Sequence, residues 1–186
     1  MIANYVEVGL ICLCALGMSN NSFAQTSSMP VKNIVLVHGA WADGSGWKGV
    51  DDILVKDGYN VSIVQEPETS FKDDVTATKR TLALQSGPCI LVAHSYGGAV
   101  ITEAGTDPSV AGLVYVAAHM PDAGEKESED GKRFPSDLAK SDALKKTPDG
   151  FTYIDPAQFH ELFAADLPEA MPRATLFRSS ATRRSD

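Results

Sequence analysis

Short apolar, β-branched runs alternate with amphipathic stretches from residue 33 to residue 117. Asn33-Ile34-Val35-Leu36-Val37 is continuously apolar after its first residue, as expected of a strand buried on both faces of a parallel sheet. Val61–Val64, Cys89–Ala93 and Val110–Ala117 repeat the pattern. Between them, Trp47 to Lys56 carries Trp47, Val50, Ile53 and Leu54 at helical spacing, with Gly58 as the stop. Phe71 to Gln85 reads as a second helix, capped by Ser70 and ended by Gly87-Pro88. Tyr96 to Gly105 reads as a third. Strands alternating with helices predict an α/β fold with a parallel sheet. The pattern changes after Pro121. Asp122 to Asp137 is rich in charge, glycine and proline and reads as a solvated excursion. Ser136–Lys146 and Pro156–Ala165 are expected to form two short helices around Gly150-Phe151-Thr152-Tyr153-Ile154. Residues 121–170 thus suit either a cap over a substrate pocket or an ordinary surface excursion.

The ends of the chain add two expectations. Val8 to Met18 is an apolar stretch of signal-peptide length, and Ser22-Phe23-Ala24 offers small residues at a cleavage site, although Glu7 precedes it and no Lys or Arg does. Residues 1–24 therefore read as an export signal, placing the protein in the periplasm or outside the cell; a misassigned start would leave it cytoplasmic. Cleavage after Ala24 would remove Cys12 and Cys14 and leave Cys89 without a disulfide partner. Residues 171–186 hold Arg173, Arg178, Arg183 and Arg184 and show no strand pattern. This tail reads as a replacement of a natural C-terminal part by a frameshift or early stop, the alternative being a disordered basic tail. The 186 residues, 44% hydrophobic, suit one domain, here 25–120 with its insert. A formal charge of −8 argues against a nucleic-acid partner. No run reaches the roughly 18 apolar residues that span a bilayer.

The chemistry concentrates at Cys89-Ile90-Leu91-Val92-Ala93-His94-Ser95-Tyr96-Gly97-Gly98. An apolar strand ends at a serine, and two glycines open a helix. This is the pattern of a nucleophile elbow, a sharp turn that pushes a serine hydroxyl out above the sheet. Small residues must flank the serine two positions away, and Ala93 and Gly97 do so. A serine hydroxyl needs a base to take its proton, and the developing oxyanion needs two N–H donors. The Tyr96 amide, directly after Ser95, is one candidate. The Ala40 amide, in His38-Gly39-Ala40-Trp41 after the first strand, is the other. An idle serine in a tight turn is the competing reading, and the glycine spacings do not fit a dinucleotide fingerprint.

Val35-Leu36-Val37-His38-Gly39-Ala40-Trp41, Val92-Ala93-His94-Ser95-Tyr96-Gly97-Gly98 and Val114 to Asp122 resemble signature segments of the α/β-hydrolase superfamily. The similarity is strongest to the group of salicylate esterase-like proteins, plant methylesterases and hydroxynitrile lyases. It covers about Val31 to Ala170, where Asp155-Pro156-Ala157-Gln158-Phe159-His160 resembles the cap segment of bacterial members. The resemblance implies an α/β-hydrolase-type sheet with a partial helical cap, and a serine hydrolase acting through an acyl-enzyme on a small ester or related acyl compound. It implies no metal and no organic cofactor. In such proteins the acid and histidine of the triad follow two further strands, and no segment after Ala170 matches either. His38 is expected to shape the oxyanion loop and His94 the elbow. Trp41, His119 and His160 are candidates for substrate contact, with His119 also a candidate substitute base and Asp122 a candidate acid. The expectation is therefore an esterase-like chain impaired by its missing C-terminal strands. A non-catalytic ligand-binding protein, an unstable fragment, and a hydroxynitrile lyase or perhydrolase activity of the complete parent stay open. With those strands absent, Val110–Ala117 becomes an apolar sheet edge that invites self-association.

Overall fold

The computed structural model describes residues 30–125 and 132–167. The expected signal segment and the basic tail lie outside the described residues. Four parallel strands form the main sheet: β1 (Asn33–Val37), β2 (Asn60–Ile63), β3 (Cys89–Ser95) and β4 (Val110–Ala118), in the order β2-β1-β3-β4. All five residues of β1 are buried, because helices cover both of its faces. On one face α2 (Phe71–Leu82) and α3 (Gly97–Ala104) enclose Val35, Val37, Leu91, Ala93, Val100 and Ile101. On the other, α1 (Lys48–Lys56) and the preceding 3-10 turn Gly44–Trp47 pack Trp47 and Leu54 over Ile34 and Leu36.

Local chemistry sets the helix boundaries. The Ser70 hydroxyl accepts from the Asp73 amide and starts α2. Asp43 accepts from the Ser45 amide at 2.8 Å and starts the 3-10 turn, so helical spacing begins one turn earlier than α1 itself. Val50 and Ile53 were expected on its buried face but are exposed; only Leu54 and the preceding Trp47 pack. Cys89 is fully buried and unpaired.

Among the described residues β4 is one of the two edge strands of the sheet, as expected. Leu113, Val114 and Val116 are at least about a third exposed; Val114 and Val116 lie on the face where α1 covers β1 and β2 but not the β3–β4 half, whereas Leu113 lies on the α3 side beside Gly105. The expected helix Ser136–Lys146 is corrected. Its N-terminal part is one turn, α4 (Asp137–Lys140), capped by Ser136; Leu144–Lys146 instead forms β5, paired antiparallel with β6 (Thr152–Ile154). α5 (Pro156–Phe163) follows, capped by Asp155. Leu138, Ala143, Ile154, Phe159 and Ala164 form a separate apolar cluster under this hairpin. Among the described residues no helix is long and apolar enough to cross a membrane.

Three backbones meet where β3 turns into α3. A Cβ on Gly97 would strike the His38 carbonyl oxygen, and one on Gly98 the His119 carbonyl oxygen, with Ala118 Cβ at 2.8 Å. Backbone atoms cannot yield as a flexible side chain can. Gly98→Ala should therefore cost about 1–3 kcal/mol or more through overpacking, read as a lower urea midpoint, whereas Gly49→Ala, in open space, should not lower it.

Candidate active site

The strand order reverses between β1 and β3: the chain leaves β1 toward β2 on one side and returns to β3 on the other. The helices after β1 and β3 lie on opposite faces of the sheet, so their connecting loops part and leave a crevice at the carboxyl ends of the strands. Ser95 ends β3 at this crevice with φ of 52°. A non-glycine residue in the left-handed region costs about 1–3 kcal/mol and persists only where its surroundings fix it. The surroundings here are tight. The Ser95 carbonyl accepts from the His119 amide at 3.0 Å, and a Cβ on Gly39 would lie 2.9 Å from Ser95 Cβ. Glycine at 39 is what lets the β1 loop lie directly against the serine.

The structure thus brings together Ser95, Tyr96 at the start of α3, and the His38–Trp41 loop. Ser95 is half-buried rather than entombed. Among the described residues no side chain hydrogen-bonds its hydroxyl. His119 reaches this region through its backbone. His160 turns to the Leu167 carbonyl at 2.7 Å, within its own hairpin unit. Asp122 is exposed, and its amide donates to Glu125. Trp41 has φ of 60°, and its Nε1 donates to Thr152 Oγ1 at 3.0 Å.

Sequence reasoning did not find a buried polar network beneath the elbow. Tyr96 Oη donates to Asp74 Oδ2 at 2.7 Å, and Asp74 Oδ1 accepts from the Glu68 amide at 2.8 Å. The Glu66 amide donates to His38 Nε2 at 3.1 Å, so that nitrogen carries no proton. His38 is then neutral, with Nδ1–H donating to the Gly39 carbonyl at 3.0 Å; burial also holds its pKa below the ordinary value. The approach of Nδ1 to Glu66 Oε2 at 3.4 Å is therefore not an ion pair. The Glu66 side chain is fully enclosed, and neither oxygen has a hydrogen-bond partner. Burial first, then the charges of Asp74 and Glu68, push its pKa up to about 9. Burial also raises Asp74, against the opposing pull of Tyr96 and the Glu68 amide. The sequence signal was weak: three acidic residues near a prolyl turn ordinarily read as solvated. Among the described residues, no three His, Cys, Asp or Glu side chains are arranged to hold a metal ion.

Residues 34–185 match the sequence profile of the Alpha/beta hydrolase family. The chain belongs to this family, and its relatives include esterases and other hydrolases. It is 32% identical over 107 residues to a carbendazim hydrolyzing esterase of Nocardioides sp. (strain SG-4G), covering 50% of this chain and 44% of that protein. A pyrethroid hydrolase from Sphingobium faniae JZ-2 superposes with a TM-score of 0.63 at 26% identity, covering 79% of this chain and 66% of the other. Polyneuridine aldehyde esterase superposes with a TM-score of 0.58 at 22% identity, over 71% of this chain and 61% of that one, and shares the fold. The chain spans less than half the length of the curated relative it matches.

Glu66 makes stability depend on pH in a defined direction. The folded state keeps a proton that the unfolded chain releases above about pH 4.5, so Glu66 destabilises the fold progressively from there to about pH 9, by at most about 1.4 kcal/mol per pH unit. Glu66→Gln removes this slope. Urea midpoints of the variant should rise above those of the wild type as pH increases from 5 to 9.

Proposed function

We propose that this chain carries the nucleophile half of a serine esterase acting on small carboxylic esters. The observation that carries the reading is the left-handed Ser95 at the end of β3, beside the switch-point crevice. Ser95 Oγ attacks the ester carbonyl carbon, and the carbonyl π electrons move onto oxygen. The amides of Ala40 and Tyr96 receive that oxyanion; losing one such donor typically costs about 3–4 kcal/mol of transition-state stabilisation. The carbon–oxygen bond to the alcohol then breaks, the alcohol leaves with the serine proton, and water later releases the acid from Ser95. The residue 137–164 unit acts as the cap, with Trp41, His119 and His160 as candidate substrate contacts.

Turnover is expected to be poor. No described side chain is hydrogen-bonded to the Ser95 hydroxyl, so among the described residues its proton has no positioned acceptor, and a serine without a positioned base can be slower by up to about a million-fold. The same observation favours a second reading, a pocket that binds esters without cleaving them. Export through residues 1–24 is part of the proposal and rests on the sequence pattern alone.

A fluorophosphonate probe tests the reading. Slow covalent labelling confined to Ser95 and abolished by Ser95→Ala, with p-nitrophenyl acetate turnover near that of the Ser95→Ala variant, is the expected outcome. Saturable ester binding with no label on Ser95 would favour the binding protein instead.

Self-association through the β4 edge belongs to the same reading. The strand carries no charge over Val110–Ala118, and charged side chains are the usual protection of an open edge. Val114→Lys with Val116→Lys should shift the sedimentation profile toward the monomer; an unchanged profile would remove the edge as the cause.

A further inference from the structure

Trp41 occupies a backbone conformation that a bulky aromatic residue rarely adopts, with φ of 60°. Such a conformation persists only where neighbouring contacts dictate it. Two sets of contacts do so. The ring packs against the main core and also against the apolar cluster under the β5–β6 hairpin. Its Nε1 donates to Thr152 Oγ1, at the first residue of β6, across 111 positions of sequence. On its other side, Trp41 follows Ala40, and Gly39 lies against Ser95. A displacement of the hairpin therefore pulls on the segment that presents the Ala40 amide.

We propose that Trp41 is a positioning residue, a strained clasp through which the seating of the β5–β6 hairpin fixes the Ala40 amide beside Ser95. The proposal rests on the assignment of Ala40 as an oxyanion donor, and it deepens that reading by giving the hairpin a role in organising the hole as well as covering it. With the clasp closed, the hairpin and the loop move as one body. With the clasp open, the φ strain at Trp41 is no longer opposed, and the loop relaxes away from the serine.

Three variants separate the clasp from packing. Thr152→Val keeps the side-chain shape and removes the acceptor, Thr152→Ser keeps the acceptor, and Trp41→Phe keeps an aromatic ring without the donor. Amide hydrogen exchange in the full chain is the first readout and needs no reactivity at Ser95. Exchange at Ala40, Trp41 and Ala42 should quicken about tenfold in Thr152→Val and Trp41→Phe, the scale of one lost hydrogen bond, and return to the wild-type rate in Thr152→Ser. Unchanged exchange in this loop, with faster exchange confined to β5 and β6, overturns the clasp. The second readout is fluorophosphonate kinetics. Thr152→Val should lower the maximal labelling rate about tenfold and leave the half-saturating probe concentration within twofold, with rescue by Thr152→Ser. A change in half-saturation alone assigns Trp41 and Thr152 to ligand contact and overturns the positioning role. If the wild type is not labelled, the serine-esterase reading fails, while the exchange result still decides whether the clasp exists.

Discussion

The structure depends on how closely three backbones approach one another at the end of β3. Gly97 lies against the His38 carbonyl, Gly98 against the His119 carbonyl, and Gly39 against Ser95 Cβ. No side chain fits at any of these contacts. The carboxyl ends of β1 and β4 are thereby drawn in around the serine, and Ser95 has no relaxed conformation open to it. Its left-handed backbone follows from the crowding on every side.

Around this knot the site is built in layers. The sheet order creates the crevice, and the glycines bring the β1 loop to the serine. Beneath them, neutral His38, which accepts from the Glu66 amide, and the Tyr96–Asp74 pair, which accepts from the Glu68 amide, tie the loop after β1, the post-β2 turn and the elbow into one buried network. Such a network holds its shape only while each member keeps its proton state, because an added buried charge has no water to screen it. The parallel sheet agrees with the chain's membership of the alpha/beta hydrolase family. Among the described residues no side chain hydrogen-bonds the Ser95 hydroxyl.

Most of the main sheet was legible in the sequence because its signals are local. Continuous apolar, mostly β-branched runs such as Ile34–Val37 have few other uses in a chain of this size, and Ser95-Tyr96-Gly97-Gly98 carries its turn geometry in its composition. Ser70 marked its helix start for the same reason. The β5–β6 hairpin was not legible. Leu144-Lys145-Lys146 favours helix on its own, and it becomes a strand because Ile154 and Phe159 require a partner layer beneath Trp41. The acidic network was invisible for a related reason: nothing near Glu66 in sequence says that it will be enclosed beside His38 and Asp74. The left-handed backbone of Trp41 was not legible, since nothing local announces its φ of 60° or a hydrogen bond to Thr152, 111 positions away.

Parallel pairing carries a kinetic consequence. Neighbouring strands of this sheet are joined through intervening helices, so none can zip from a hairpin, and topologies dominated by such distant contacts form slowly. The turn at Ser95 is wedged between the ends of β1 and β4, and it has nothing to press against until both arrive. The chemistry of the elbow is therefore a late product of assembly, and β4 waits with its apolar side uncovered during the interval when encounters with other unfinished chains are most damaging.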